Sequence, residues 1–192
     1  MIKASHNDKT LLTELLTKSF EENLSVNYII QQDDKKLKRI RLLMEYSIEM
    51  CFLFGEIWLS NDKTACALIL YPHKKRTTLS SVFLDLNLIF RVIGVLGFGK
   101  VMSREVLIKK KQPKEKMIYL WFIGVNPLYQ HSGIGSLLLK EVLADAEKKG
   151  LPVYLETSTE KNLPWYQRFG FTIYDKLVFS YVLHFLKYKP VK

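Results

Sequence analysis

Cysteine is scarce in this chain of 192 residues: Cys51 and Cys66 are the only two, and they have no C-x-x-C spacing. A disulfide framework needs more, and a structural zinc site needs clustered ligand pairs, so neither is expected and no metal is assigned. Long uncharged apolar runs are missing too. The most apolar stretch, residues 79–102, is interrupted by Asp85 and Arg91, short of the ~20 residues a membrane helix needs. The opening Met1-Ile2-Lys3-Ala4-Ser5-His6 lacks the apolar core of a secretory signal, and a reducing cytoplasm is the expected compartment. Acidic residues are also in deficit, 19 against 29 lysines and arginines. No internal repeat or low-complexity tract is present. A hydrophobic content of 48% excludes disorder, and the length fits a single domain over residues 1–192.

The resulting charge of +10 would suit nucleic acid, a membrane surface or an anionic ligand. Its distribution narrows the choice. Residues 1–72 carry a net −1, residues 73–116 a net +8, and residues 117–192 a net +3. The excess therefore belongs to one middle segment.

Residues 2–5 read as a short strand. Asn7 or Asp8 then caps a helix with Leu11, Leu12, Leu15, Leu16 and Phe20 at helical spacing. A second helix follows Asp33-Asp34 with an apolar stripe of Leu37, Ile40, Met44, Ile48 and Cys51, which makes Cys51 a core residue rather than a reactive thiol. Residues 56–60 and 65–71, around the polar turn Asn61-Asp62-Lys63-Thr64, predict a hairpin ended by Pro72. Residues 79–102 predict one or two buried or interfacial helices, followed by a lysine-rich loop over 109–116. A buried strand is expected over 117–125, a loop over 126–132, and a helix over 135–149 closed by Gly150. A strand over 152–157 and a short helix over 162–169 come next. An antiparallel pair, 171–174 with 178–185, closes the chain. Strand, glycine loop, helix and parallel strand make a βαβ unit.

The loop reads Gln130-His131-Ser132-Gly133-Ile134-Gly135-Ser136 and runs straight into its helix. Closely spaced glycines let backbone N–H groups converge, and a helix start adds partial positive charge, which suits a phosphate. A dinucleotide fingerprint needs a third glycine where Leu138 stands, and a P-loop needs a lysine these glycines lack. What remains is Q-x-x-G-x-G after Val125-Asn126-Pro127.

That signature, at Gln130, Gly133 and Gly135, resembles the GNAT superfamily of acyl-CoA-dependent N-acyltransferases. The run Asn162-Leu163-Pro164-Trp165-Tyr166-Gln167-Arg168-Phe169-Gly170-Phe171 is similar to the family's N…Y-x-x-x-G-F ending. With Leu155-Glu156-Thr157-Ser158 before it, the stretch resembles the subgroup of puromycin N-acetyltransferase. The resemblance implies an α/β (α+β) fold: a mixed, mostly antiparallel central sheet with a splayed parallel pair at the acyl-CoA site, flanked by helices, here with a helical insertion at about 79–111. It implies acetyl transfer from acetyl-CoA to a primary amine by direct attack in a ternary complex. A non-catalytic acyl-CoA-binding regulatory module is the alternative.

On that resemblance, the backbone of Ile123, Gly124 and Val125 binds the pantetheine arm, and Gln130, His131, Ser132, Gly133, Ile134, Gly135 and Ser136 hold the pyrophosphate. His131 contributes main chain and is read as an exposed loop histidine rather than a catalytic one. Tyr166 is the general acid for the leaving thiolate, against a plain reading as an aromatic packed beside Trp165 and Phe169. Asn162 either contacts the coenzyme or caps its helix. Glu156 is costly in an apolar strand unless it faces a wet cleft or a partner; it is either the general base or a structural hydrogen-bonder. No acid lies between Tyr119 and Val125 to take that role.

The acceptor is read as a small-molecule amine. The basic runs Lys74-Lys75-Arg76 and Lys109-Lys110-Lys111 carry no nucleic-acid motif and read as solvated surface. The apolar stretch with its basic flanks could touch an anionic membrane through 79–116; a helical insertion beside the acceptor cleft is the preferred reading. A homo-oligomer is compatible with the sequence.

Overall fold

The computed structural model describes residues 1–190. Seven strands form one sheet in the order β1-β2-β3-β4-β5-β7-β6: β1 (Ile2–Lys3), β2 (Gly55–Leu59), β3 (Ala65–Leu70), β4 (Ile118–Val125), β5 (Val153–Thr157), β6 (Thr172–Val178) and β7 (Val182–Tyr188). All neighbours are antiparallel except β4 and β5.

β3 lies at the middle of the core, and its alternation shows how the layers form. Ala65, Ala67 and Ile69 face one cluster, which includes Leu138, Leu139, Val142 and Ala146 of α6 (Ile134–Lys149). Cys66 and Leu68 face the other, with Leu12 and Leu16 of α1 (Lys9–Phe20) and Ile40, Met44, Ile48 and Cys51 of α3 (Lys36–Phe54). Burial on both faces requires an apolar residue at every position, and the run Ala-Cys-Ala-Leu-Ile-Leu supplies it. Both cysteines are buried free thiols, and burial pushes their pKa up. Among the described residues no helix is long and apolar enough to cross a membrane.

Several expectations need correction. Leu11 and Leu37 are exposed rather than inward. A six-residue helix, α2 (Leu24–Ile29), was not expected; it is capped by Asn23, whose Oδ1 accepts from the Val26 N–H. Of the two readings of residues 79–102, buried or interfacial helices, the structure shows surface helices. They form α4 (Leu79–Leu88), a π-helical turn (Ile89–Ile93) and the start of α5 (Phe98–Lys111), with much apolar surface outward. Lys109, Lys110 and Lys111 belong to the last turn of α5, where cations suit the helix dipole, so the loop begins only at Gln112. The closing pair turns around residues 179–181 rather than 175–177. Asp175 and Lys176 resemble turn residues but sit on an edge strand facing water. The strand β4 is only partly buried, because one side of it borders a cleft.

Candidate active site

The parallel pair provides the opening. β4 and β5 share register only at Ile118↔Val153 and Tyr119↔Tyr154, and beyond that point β4 has no partner on this side. A bulge reinforces the divergence: Leu68 pairs with Phe122 and Ile69 with Leu120, which leaves Trp121 as the extra residue. The backbone of Ile123, Gly124 and Val125 therefore borders open space. Ser19 Oγ lies 2.8 Å from the Val125 carbonyl oxygen and anchors that end of β4 to α1. Gly124 permits the close approach, since a Cβ there would meet Leu16, Ser19 and Phe20 at 3.3 Å.

The glycine loop lies at the wide end. His131 (φ 65°) and Gly133 (φ 86°) are left-handed, and Gly133 is the N-cap of α6. Alternating left-handed residues turn successive N–H groups toward one concave side, a geometry that binds anions. Gly135 packs against β4, where a Cβ would approach Val125 Cγ2 to 3.0 Å. Ser136 Oγ accepts a hydrogen bond of 2.9 Å from Trp165 Nε1, joining the start of α6 to α7 (Leu163–Arg168). Gln130 Nε2 reaches back to the Val125 carbonyl at 3.5 Å, and Ser132 Oγ donates to the Tyr129 carbonyl at 2.6 Å.

A cavity of about 1420 Å³ runs along this gap. It is lined by Ile123, Gly124, Val125, Gln130, His131, Gly133, Ile134, Gly135, Ser136, Glu156, Asn162 and Tyr166. Of the residues singled out in the sequence, only Ser132 stays outside the lining. The volume exceeds the ~300–1,000 Å³ typical of a single-ligand pocket, leaving room for two substrates. Tyr166 is buried edge-on against Trp165 and Phe171, and burial pushes its phenol pKa up, which keeps the proton in place. Asn162 makes no side-chain cap to α7.

Glu156 lies on the same face of the sheet as Tyr119. It accepts hydrogen bonds from the Tyr119 hydroxyl at Oε2 and from Gln112 Nε2 at Oε1, the latter at 3.0 Å. Burial raises its pKa, and those two hydrogen bonds oppose the rise. A carboxylate poised in this way can take a proton, and a protonated phenol can give one.

Other lining residues lie far apart in sequence. Tyr46 donates to Asp85 Oδ1 at 2.7 Å and packs edge-on against Trp121. Arg104, itself buried, donates to Tyr181, Ser25 and Glu105, at 2.9, 2.5 and 2.5 Å. Asp85, Glu105 and Glu156 line the cavity with Leu88, Phe98, Met102 and Trp121, and so do Lys75, Arg104 and Lys109. Sequence reasoning missed Tyr46, Asp85, Arg104, Glu105, Gln112, Tyr119 and Trp121. Strand alternation offered one clue, since Tyr119 and Trp121 alternate with the buried residues of β4; nothing in the sequence joins α3, α4 and α5 at one cavity. Among the described residues, no group of three or more His, Cys, Asp or Glu stands close enough to hold a metal ion.

Comparison with known proteins agrees with the family and the fold. The model of the acetyltransferase (GNAT) family matches residues 75–171, half of the chain. The chain is 32% identical over 69 residues to an uncharacterized N-acetyltransferase of Schizosaccharomyces pombe; the match covers 36% of this chain and 28% of that protein's length. Among solved structures, a histone acetyltransferase HPA2 and related acetyltransferase from Corynebacterium glutamicum superposes with a TM-score of 0.75 at 20% identity, over 100% of this chain and 96% of that one. Arylalkylamine N-acetyltransferase 2 from Aedes aegypti gives 0.67 at 16% identity, over 98% and 97%. These likenesses support the fold, a seven-stranded mixed sheet with the one parallel pair β4–β5 among the described residues. The chain belongs to the GNAT family of acetyltransferases.

Proposed function

We propose that this acetyltransferase moves an acetyl group from acetyl-CoA to the primary amine of a small molecule with an apolar body. Residues 1–192 are read as one catalytic unit, with 79–111 as a helical insertion that forms the acceptor wall. The observation that carries the reading is the splayed gap between β4 and β5, with an anion cradle at one end and carboxylates among aromatic residues at the other.

The pyrophosphate of acetyl-CoA fits the N–H groups from Gln130 to Ser136, in a loop where a Cβ at Gly135 would crowd the Val125 side chain. The pantetheine arm pairs with the free backbone edge of Ile123, Gly124 and Val125, and Asn162, whose amide makes no cap, contacts the coenzyme. An ammonium acceptor is drawn to Asp85 and seats its apolar part against Trp121 and Phe98, while Glu105 is held by the Arg104 guanidinium. Glu156 takes the proton, directly or through water, because an amine with a pKa near ~10.4 is not nucleophilic until it loses one. The neutral nitrogen attacks the thioester carbonyl, the C–N bond forms, the C–S bond breaks, and Tyr166 protonates the departing sulfur. Holding both partners side by side supplies much of the rate. The Leu155-Glu156-Thr157-Ser158 stretch supports the puromycin N-acetyltransferase-like subgroup, and two buried free thiols suit a reducing compartment such as the cytoplasm.

Release of free thiol from acetyl-CoA, followed across a panel of primary amines, tests the proposal. Arylalkyl and other apolar amines should turn over with lower KM than small polar ones. Tight acetyl-CoA binding without turnover on any amine would overturn the reading in favour of a binding module.

A further inference from the structure

The segment between β3 and β4 has two apolar faces, and the cleft uses only one. Leu88, Ile89 and Ile93 line the cavity, and Val92 is buried against α3 and the sheet. On the opposite side of α4, Leu79, Val82, Phe83, Leu86 and Phe90 follow helical spacing and all face outward. Leu79 is 93% exposed, Phe83 66% and Phe90 65%. The next turn adds Val95 at 71% and Leu96, fully exposed. A surface helix ordinarily presents polar residues to water, and contiguous bare apolar stripes mark interaction surfaces. Of the polar residues of α4, Ser81 is buried in the capping box with Thr78, and Asp85, though exposed, accepts from Tyr46 on the side away from the stripe.

We propose that this outer stripe docks the protein onto an anionic lipid bilayer, with α4 lying in the plane of the interface. Charge selects this occupant. The stripe contains no charged side chain, whereas Lys74 and Arg76 before it, Arg91 in the π-helical turn and Lys100 after it are all exposed. They belong to the segment of net +8. An apolar helix face bracketed by cations matches the acyl boundary and anionic headgroups together. A second copy of the chain matches less well, because an isologous contact would press two segments of net +8 against each other. The helices are too short to span a bilayer, so the contact is peripheral. The acceptor wall would then stand about one helix diameter, ~10 Å, from lipid. This surface is separate from the acetyl-transfer site, and the proposal holds whichever acceptor that site takes.

Co-sedimentation tests it. Probes are vesicles of phosphatidylcholine alone and vesicles containing about one third phosphatidylglycerol, at salt of about 0.1 M and about 0.5 M. The full-length protein is expected in the pellet with mixed vesicles at low salt. Affinity should fall at least about tenfold in high salt, on phosphatidylcholine alone, and in an Arg76→Glu, Arg91→Glu variant. A Phe83→Glu, Phe90→Glu, Leu96→Glu variant should stay in the supernatant while its circular dichroism and melting match the parent. Equal pelleting of the parent with and without vesicles overturns the proposal. So does a dimer, seen by light scattering, that the triple variant dissolves while the parent binds no vesicle.

Discussion

Burial resists ionisation, and at Glu156 it raises the pKa while the Tyr119 and Gln112 hydrogen bonds pull the other way. The acid limb of the kcat/KM profile should therefore lie above the ordinary glutamate value of about 4.3, and Glu156→Gln should lack the limb along with most of the activity. The same shift bears on stability. A carboxyl whose folded pKa exceeds its unfolded one costs nothing below the unfolded value and its full penalty above the folded one. Glu156→Gln should thus resist urea better than the parent at neutral pH, with the difference closing as pH falls toward about 4. Parallel stability curves at every pH would refute it. At Tyr166, removal of the hydroxyl keeps the ring contacts with Trp165 and Phe171. Tyr166→Phe should melt like the parent yet lose about 10²-fold or more in kcat, read by thiol release with KM for acetyl-CoA unchanged. Glu156 stood out in the sequence because a charge in an apolar strand needs a reason. Tyr119 did not, since a tyrosine in a strand is ordinary until its neighbour is known.

At the scale of elements, α6 is the clearest case of local determination. Its inward positions Leu138, Leu139, Val142, Leu143 and Ala146 are all buried, with a left-handed glycine at each end. The two glycines separate stability from function. No neighbour crowds a Cβ at Gly133 or Gly150, so alanine at either costs backbone strain of about 1–2 kcal/mol. Both substitutions should lower the urea midpoint by similar amounts, but only Gly133→Ala should weaken acetyl-CoA binding in calorimetry, because it alone belongs to the proposed anion cradle. Equal affinities would remove the loop from the coenzyme site. Less regular elements were less legible. α2 spans fewer than two turns, too few for periodicity to register, and α4 gives an apolar pattern whose buried side cannot be assigned from spacing alone.

Across the whole molecule, helices cover both faces of the sheet, and β3 connects the two cores. Leu68, fully buried beneath α1 and α3, should lose about 2–5 kcal/mol as alanine, measured by urea unfolding. Acetyl-CoA at about 100 times its Kd should add about 2.7 kcal/mol, a rise in Tm of several degrees. Free adenine should not reproduce that rise if, as proposed, the loop from Gln130 to Ser136 binds phosphate through backbone N–H groups. The charge of +10 also acquires its meaning at this scale. The cavity lining mixes both signs, Asp85, Glu105 and Glu156 with Lys75, Arg104 and Lys109, whereas Lys74, Arg76, Arg91 and Lys100 stand exposed around α4.

The sequence by itself determined the βαβ unit and the glycine loop, because each depends on spacing within a few turns of chain; Glu156 stood out as a charge in an apolar strand, and Asn162 and Tyr166 only through the resemblance to the GNAT family. Tertiary structure alone decided that Tyr46, Asp85, Arg104, Glu105, Gln112 and Tyr119 meet Glu156 across one cavity, and which side of α4 faces water. The physical reason is range. Helix periodicity, capping and left-handed glycines are set by neighbours along the chain, whereas a cleft forms between strands that stop pairing after two registered positions.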